Sequence, residues 1–228
     1  MARYDKALQD LSVRLEAATR ACGRDPAEVT LLAVSKTFGA AAVREVHALG
    51  QRAFGENYVQ EAAGKRAELA DLADLRWVLV GPLQSNKTAL AAAVFDRVES
   101  IDGLKVARRL SDARSPLRPP LEVLVQVNIS GEASKSGVSP DGAVMLAADV
   151  ASLPRLAFLG FMGIAEPTPD RAKQRNQFAM LRLCGEQARA RGLPAHALSM
   201  GMTDDLESAI AEGSTQVRVG TAIFGSRA

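Results

Sequence analysis

Val29-Thr30-Leu31-Leu32-Ala33-Val34-Ser35-Lys36-Thr37 is an apolar run that follows Pro26 and stops abruptly on a lysine. Short, mostly aliphatic and β-branched, it reads as a strand buried on both faces, the kind found in parallel sheets. Such a strand delivers Lys36 to its C-terminal end. Where that end opens into a pocket, burial disfavours the charged ammonium and the neutral amine becomes a nucleophile toward carbonyls. Taken alone, a lysine just past a strand reads as a solvated side chain. The rest of the chain decides between the two.

Before this strand, Tyr4, Leu8, Leu11, Leu15 and Ala18 recur at helical spacing, an amphipathic helix that Gly23 can end. After it the pattern alternates. Helices are expected over 40–49 (closed by Gly50), 59–69, the alanine-rich stretch after Thr88, 104–110, 144–153, 172–191 and 203–211. Strands are expected over 52–57, 76–80, 95–101, 121–129, 156–164, 196–199 and 216–219. The long helix over 172–191 offers Phe178, Leu181 and Leu183 to the core, and the helix over 203–211 has Thr203 as its N-cap with Asp204 and Asp205 in its first turn. About eight strands alternating with about eight helices, one of them ahead of the first strand, predict an α/β chain forming a single (β/α)₈ TIM barrel over 1–228. The alternative is an open doubly wound sheet, which usually carries fewer strands in this length. Ser115-Pro-Leu-Arg-Pro-Pro120 is too short for a linker and reads as a surface loop.

The balance of 28 Lys and Arg against 26 Asp and Glu gives a net charge of +2, without a dominant run of either sign, so neither a nucleic-acid nor a membrane-surface footprint is expected. Cys22 and Cys184 form no C-x-x-C and have no histidine cluster nearby, which argues against a disulfide framework or a zinc site. The first sixteen residues mix charges with apolar residues, unlike a signal peptide or a spanning helix. A soluble, cytoplasmic protein is the expectation.

A barrel demands that functional groups gather at the C-terminal ends of its strands. Here those ends carry Lys36, then Glu56 and Asn57, Asn86 and Lys87, Asp102, Asn128, Ser199, and Arg218 with Gly220 and Thr221. Two suit a phosphate: Ser199-Met-Gly-Met-Thr203 just before a helix, and Arg218-Val-Gly-Thr221 after the last strand. Gly81-Pro-Leu-Gln-Ser-Asn-Lys-Thr88 approaches a P-loop, but Asn86 stands where the second glycine is required and Pro82 removes a donor, so nucleotide hydrolysis is not expected. His47 and His196 lack partners at metal or Ser/His/Asp spacing and read as packing or surface residues.

The stretches Ala33-Val-Ser-Lys-Thr37, Phe54-Gly-Glu-Asn-Tyr-Val-Gln-Glu61, Gly81 to Thr88, Val125-Gln-Val-Asn-Ile-Ser130 with Ser134-Lys-Ser-Gly137, Leu198-Ser-Met-Gly-Met202 and Val217-Arg-Val-Gly-Thr-Ala-Ile-Phe-Gly225 resemble the pyridoxal phosphate homeostasis protein family in order along nearly the whole chain. The resemblance implies a barrel similar to the alanine racemase N-terminal domain that binds pyridoxal 5′-phosphate (PLP) as a Schiff base and has no established catalytic activity. Carried onto this chain, it makes Lys36 the Schiff-base lysine and places Asn57 near the ring. Ser199, Gly201, Gly220 and Thr221 would hold the phosphate, and Arg218 would face the pyridine nitrogen. An arginine does not surrender its proton, so it would keep that nitrogen unprotonated and weaken the ring as an electron sink.

Two positions depart from the family pattern: Val78 where a histidine is expected, and Thr203 where serine is usual. A racemase would need a second, β-rich domain supplying an acid/base from the opposite face of the cofactor, whereas this chain ends at Ala228 just after the last strand. The expectation is therefore a monomeric, non-catalytic PLP carrier in vitamin B6 homeostasis, with PLP-dependent enzymes as acceptors. The alternatives are a small PLP-dependent amino-acid racemase and a cofactor-free Schiff-base aldolase, the latter leaving Arg218 and the phosphate loops unexplained.

Overall fold

The computed structural model describes residues 2–132 and 135–225; Ser134, part of one stretch quoted above, lies outside the described residues. The chain opens with helix α1 (Ala2–Ala21) and then alternates: β1 (Thr30–Val34), α2 (Ala40–Ala48), β2 (Ala53–Glu56), α3 (Val59–Glu68), β3 (Arg76–Leu79), α4 (Thr88–Val94), β4 (Arg97–Ile101), α5 (Leu104–Ala113), β5 (Leu121–Val127), α6 (Pro140–Ala151), β6 (Leu156–Gly163), α7 (Arg171–Ala190), β7 (Ala197–Ser199), α8 (Leu206–Ala211), β8 (Gln216–Val219) and a short α9 (Thr221–Phe224). The strands form a closed barrel in sequence order. β1 closes on β8 in parallel, with Thr30 opposite Gln216 and Ala33 opposite Val219. This is the (β/α)₈ TIM barrel.

Side-chain alternation along the strands divides the interior in two. One set, including Ala33, Phe54 and Trp77, faces the helices and forms the main apolar core with Phe178 of α7 and Phe95 at the end of α4. Leu32, Val34, Val78, Leu124 and Met162 are buried but belong to no part of that cluster, because they point into the barrel. Buried Glu99, Gln216 and Arg218 alternate in phase with them, so the barrel interior is partly polar. Val78, one of the two departures, packs inside the barrel beside Arg97 in register.

Several expectations are corrected. β1 is buried on both faces only from Leu32 onward: Thr30 is exposed and Leu31 half-buried, because they sit at the N-terminal mouth of the barrel. On α7, Leu183 is exposed and its neighbour Cys184 takes the core position, since Cys184 continues the face of Phe178 and Leu181. α6 starts at Pro140, before the expected 144, with the Ser139 side chain accepting from Gly142 N–H as its N-cap. α8 starts at Leu206, so Thr203 does not cap it and Asp204 and Asp205 precede it; the Asp205 carboxylate accepts the Met202 N–H at 2.5 Å and closes a turn instead. Among the described residues, no helix is long and apolar enough to cross a membrane.

Candidate functional site

At the C-terminal rim, a cavity of about 330 Å³ is lined by Lys36 after β1, Asn57 after β2, Val80 after β3, Ile164 after β6, Met202, Thr203 and Asp204 after β7, and Arg218, Gly220 and Thr221 at the end of β8, with Val34 at its base. Its size falls in the range of small-molecule sites, roughly 300–1,000 Å³. Lys36, Asn57, Arg218, Gly220 and Thr221 thus converge from the two ends of the sequence because the barrel closes β8 against β1. Lys36 is half-buried and, among the described residues, makes no hydrogen bond or ion pair. Its amine is free to meet a ligand.

Arg218 is built differently. Only 5% exposed, it donates through Nη1 to the Ser199 carbonyl (2.6 Å) and Oγ (2.8 Å), and through Nη2 to the Gly163 carbonyl (2.8 Å). Nε has no hydrogen-bond partner among the described residues. Burial pulls the guanidinium down from its ordinary value, while Glu99 and Asp205 oppose that shift; arginine nonetheless stays protonated in proteins. Glu99, fully buried, supplies the balancing charge through Ser199, whose Oγ donates to Glu99 Oε2 at 2.6 Å. Gln216 completes the set, donating through Nε2 to Glu99 Oε1 (2.7 Å) and to Ser199 Oγ (3.1 Å), with its own Oε1 accepting from Arg97 (3.0 Å).

Ser199 is therefore not brought to the cavity: it is 1% exposed and spends its hydroxyl beneath Arg218. Gly201 does not line the cavity either, but shapes its wall. Its backbone has φ +97°, and a Cβ there would lie 2.6 Å from that of Ala209, so only glycine lets the β7–α8 loop pass so close. The hydroxyl that the loop does present is that of Thr203, read from the sequence as a cap. At the opposite edge of the cavity, a Cβ on Gly81 would lie 2.3 Å from the Asn57 carbonyl oxygen, so this glycine allows the β3 loop to seat Asn57.

The remaining rim residues part company. Glu56 is fully buried and pairs with Lys65 at 2.6 Å. Asn86 and Asp102 are exposed and, like Lys87, lie off the cavity. Asn128 organises its own loop, donating to the Glu132 carbonyl at 2.8 Å and accepting from Gly131 N–H at 3.1 Å. It lines a neighbouring cavity of about 250 Å³ that shares Asn57, Val80 and Ile164 with the first and also meets Lys135. His47 pairs with Asp74 at 2.7 Å, a structural contact away from the rim.

Two cations against the single carboxylate of Asp204, apolar walls from Val34, Val80, Ile164 and Met202, and the hydroxyl-bearing Thr203 and Thr221 suit an anionic small molecule with an apolar face. Fold and site together define the class: a (β/α)₈ barrel with a lysine-lined cavity at its C-terminal rim. Residues 8–228 match the family model described as alanine racemase, N-terminal domain. A pyridoxal phosphate homeostasis protein of Pseudomonas aeruginosa is 56% identical over 217 residues, covering 95% of this chain and 93% of that protein. The protein of the same name from Escherichia coli (strain K12) is 48% identical over 216 residues, covering 94% and 92%. The structure of PipY from Synechococcus elongatus PCC7942 with PLP bound superimposes with a TM-score of 0.81 at 38% identity, covering 94% of this chain and all of that one. This chain belongs to the pyridoxal phosphate homeostasis protein family, within the larger group of alanine racemase N-terminal-domain barrels.

Proposed function

We propose that this protein binds pyridoxal 5′-phosphate reversibly as a Schiff base on Lys36 and takes part in intracellular PLP homeostasis without catalytic turnover. The observation that carries this reading is the convergence of Lys36, Asn57, Arg218, Gly220 and Thr221 on one rim cavity. PLP-bound PipY and the relatives named for PLP homeostasis support it.

Bound PLP supplies an aldehyde that exchanges between amines and a ring that can act as an electron sink. Lys36, whose amine is unpaired among the described residues, would hold that aldehyde as an imine, its nitrogen bonding the carbon as the carbonyl oxygen leaves as water. Thr221 and Thr203 line the cavity and would hold the phosphate. Gly220 lets the backbone approach it, and Gly201 sets the course of the facing loop. Asn57 orients the ring. Arg218, fixed from below, presents a permanent donor to the ring nitrogen and so keeps that nitrogen unprotonated, which discourages carbanion chemistry. Ser199 acts through Arg218 rather than on the phosphate. We take the chain as one domain over 1–228, working as a cytoplasmic monomer that releases PLP to PLP-dependent enzymes.

Titration of the purified protein with PLP, followed by visible absorbance, tests this reading. A visible band that saturates in the wild type and is missing in Lys36→Ala is expected. A band of equal strength in Lys36→Ala would overturn the assignment of the lysine, and turnover of D- or L-amino acids would overturn the non-catalytic role.

A further inference from the structure

The residues on either side of Lys36 are both tied to the same buried ammonium. On one side, Ser35 is fully buried: its Oγ donates to Glu56 Oε1 at 2.6 Å and its carbonyl accepts from Lys65 Nζ at 2.8 Å. On the other, the Thr37 backbone N–H donates to Glu61 Oε1 at 2.6 Å. The two sides meet at Lys65, whose Nζ also donates to Glu56 Oε1 (2.6 Å) and Glu61 Oε1 (2.7 Å). All three protons of that ammonium are thus committed to the strand exit and its two carboxylates.

Three features mark this as a built device. Lys65 is only 5% exposed, on the buried face of α3 with Val59 and Ala62. Thr37 is held at φ +70°, a region a β-branched residue enters only where its surroundings impose it. Glu56 Oε2 is buried without a partner, and burial pushes the Glu56 carboxyl up, so Lys65 supplies the charge that keeps this corner together.

The geometry points to Lys65 as a positioning residue, which through Glu56 and Glu61 clamps the backbone before and after Lys36 and so aims the Lys36 amine into the cavity. This rests on the reading of Lys36 as the Schiff-base lysine. Lys65 touches no ligand in this account; it removes the freedom of the short segment from which the reacting amine projects, a gain in preorganisation.

The test compares wild type, Lys65→Met, Glu61→Ala and Glu61→Gln. Each is titrated with PLP, reduced with borohydride to count the adduct on Lys36 by peptide mass, and probed for hydrogen exchange at the Thr37 amide. Lys65→Met and Glu61→Ala are expected to weaken adduct formation by up to roughly a hundredfold and to speed exchange at Thr37, while Glu61→Gln, which keeps an acceptor oxygen, restores both toward wild type. Glu61→Ala cuts the Thr37 tie and one of the three Lys65 bonds but leaves Lys65 on Glu56 and the Ser35 carbonyl, and it carries the test should Lys65→Met fail to fold. Unchanged titration in the folded variants, with the wild type loading normally, overturns the clamp alone. No adduct on Lys36 in the wild type overturns the Schiff-base reading and the clamp with it.

Discussion

The two cations of the cavity are held in opposite ways. Arg218 is buried within the barrel, its fork fixed on Ser199 and Gly163 and its charge balanced by Glu99. Lys36 stands half-buried on a loop, its own amine unpaired among the described residues, while its neighbours in the chain are pinned. An electrostatic element that should never change is made part of the barrel interior. On the reading proposed above, a nucleophile that must bond and release is left free at its tip and constrained only at its root.

The most severe way to break this contrast is Lys36→Ala, which should remove all reducible adduct while leaving the fold intact, because the side chain makes no hydrogen bond or ion pair among the described residues. Arg218→Met should do the reverse and attack the fold. It leaves the Ser199 and Gly163 carbonyls inside the barrel without their donor and Glu99 with Arg97 (3.7 Å) as its paired cation, a loss of about 1–3 kcal/mol for buried groups left unpaired, read as a lower denaturant midpoint. Gly81→Ala pushes a methyl group toward the Asn57 carbonyl; a destabilisation of about 1–3 kcal/mol is expected, together with weaker PLP binding in the titration.

The smallest effect concerns pH. Burial raises the Glu56 carboxyl above its ordinary value in the folded protein, so the folded state holds that proton more tightly than the unfolded chain does. The contribution is therefore fully present below the ordinary carboxylate range and is lost as pH rises through the raised value. Glu56→Gln should flatten the dependence of stability on pH across that window, measured by melts at a series of pH values; an unchanged slope would place the titrating group elsewhere.

Much of this was legible in the sequence because apolar runs stop on polar residues: Val34 gives way to Ser35 and Lys36, and Glu56 to Asn57, at strand ends the barrel then gathers. Gly220 and Thr221 were readable for the same reason. Ser199 was not, since adjacency to a glycine loop looks the same whether a hydroxyl faces the cavity or the barrel interior; the inward partner, Glu99, lies a hundred positions earlier. Lys65 was missed because a helical lysine reads as solvated by default. Its signal was phase: it falls three and six residues after Ala62 and Val59, on the buried face. The start of α8 failed on Asp205, whose carboxylate closes a turn ahead of the helix rather than joining its first turn.

The central claim is that Lys36, and no other lysine of this chain, carries PLP in a reversible covalent bond. Borohydride reduction of the PLP-loaded protein followed by peptide mass analysis tests it most directly. The account predicts one stoichiometric adduct on the peptide containing Lys36; a wild-type protein that binds PLP with its reduced adduct on Lys87 or Lys135, and Lys36 unmodified, would contradict it.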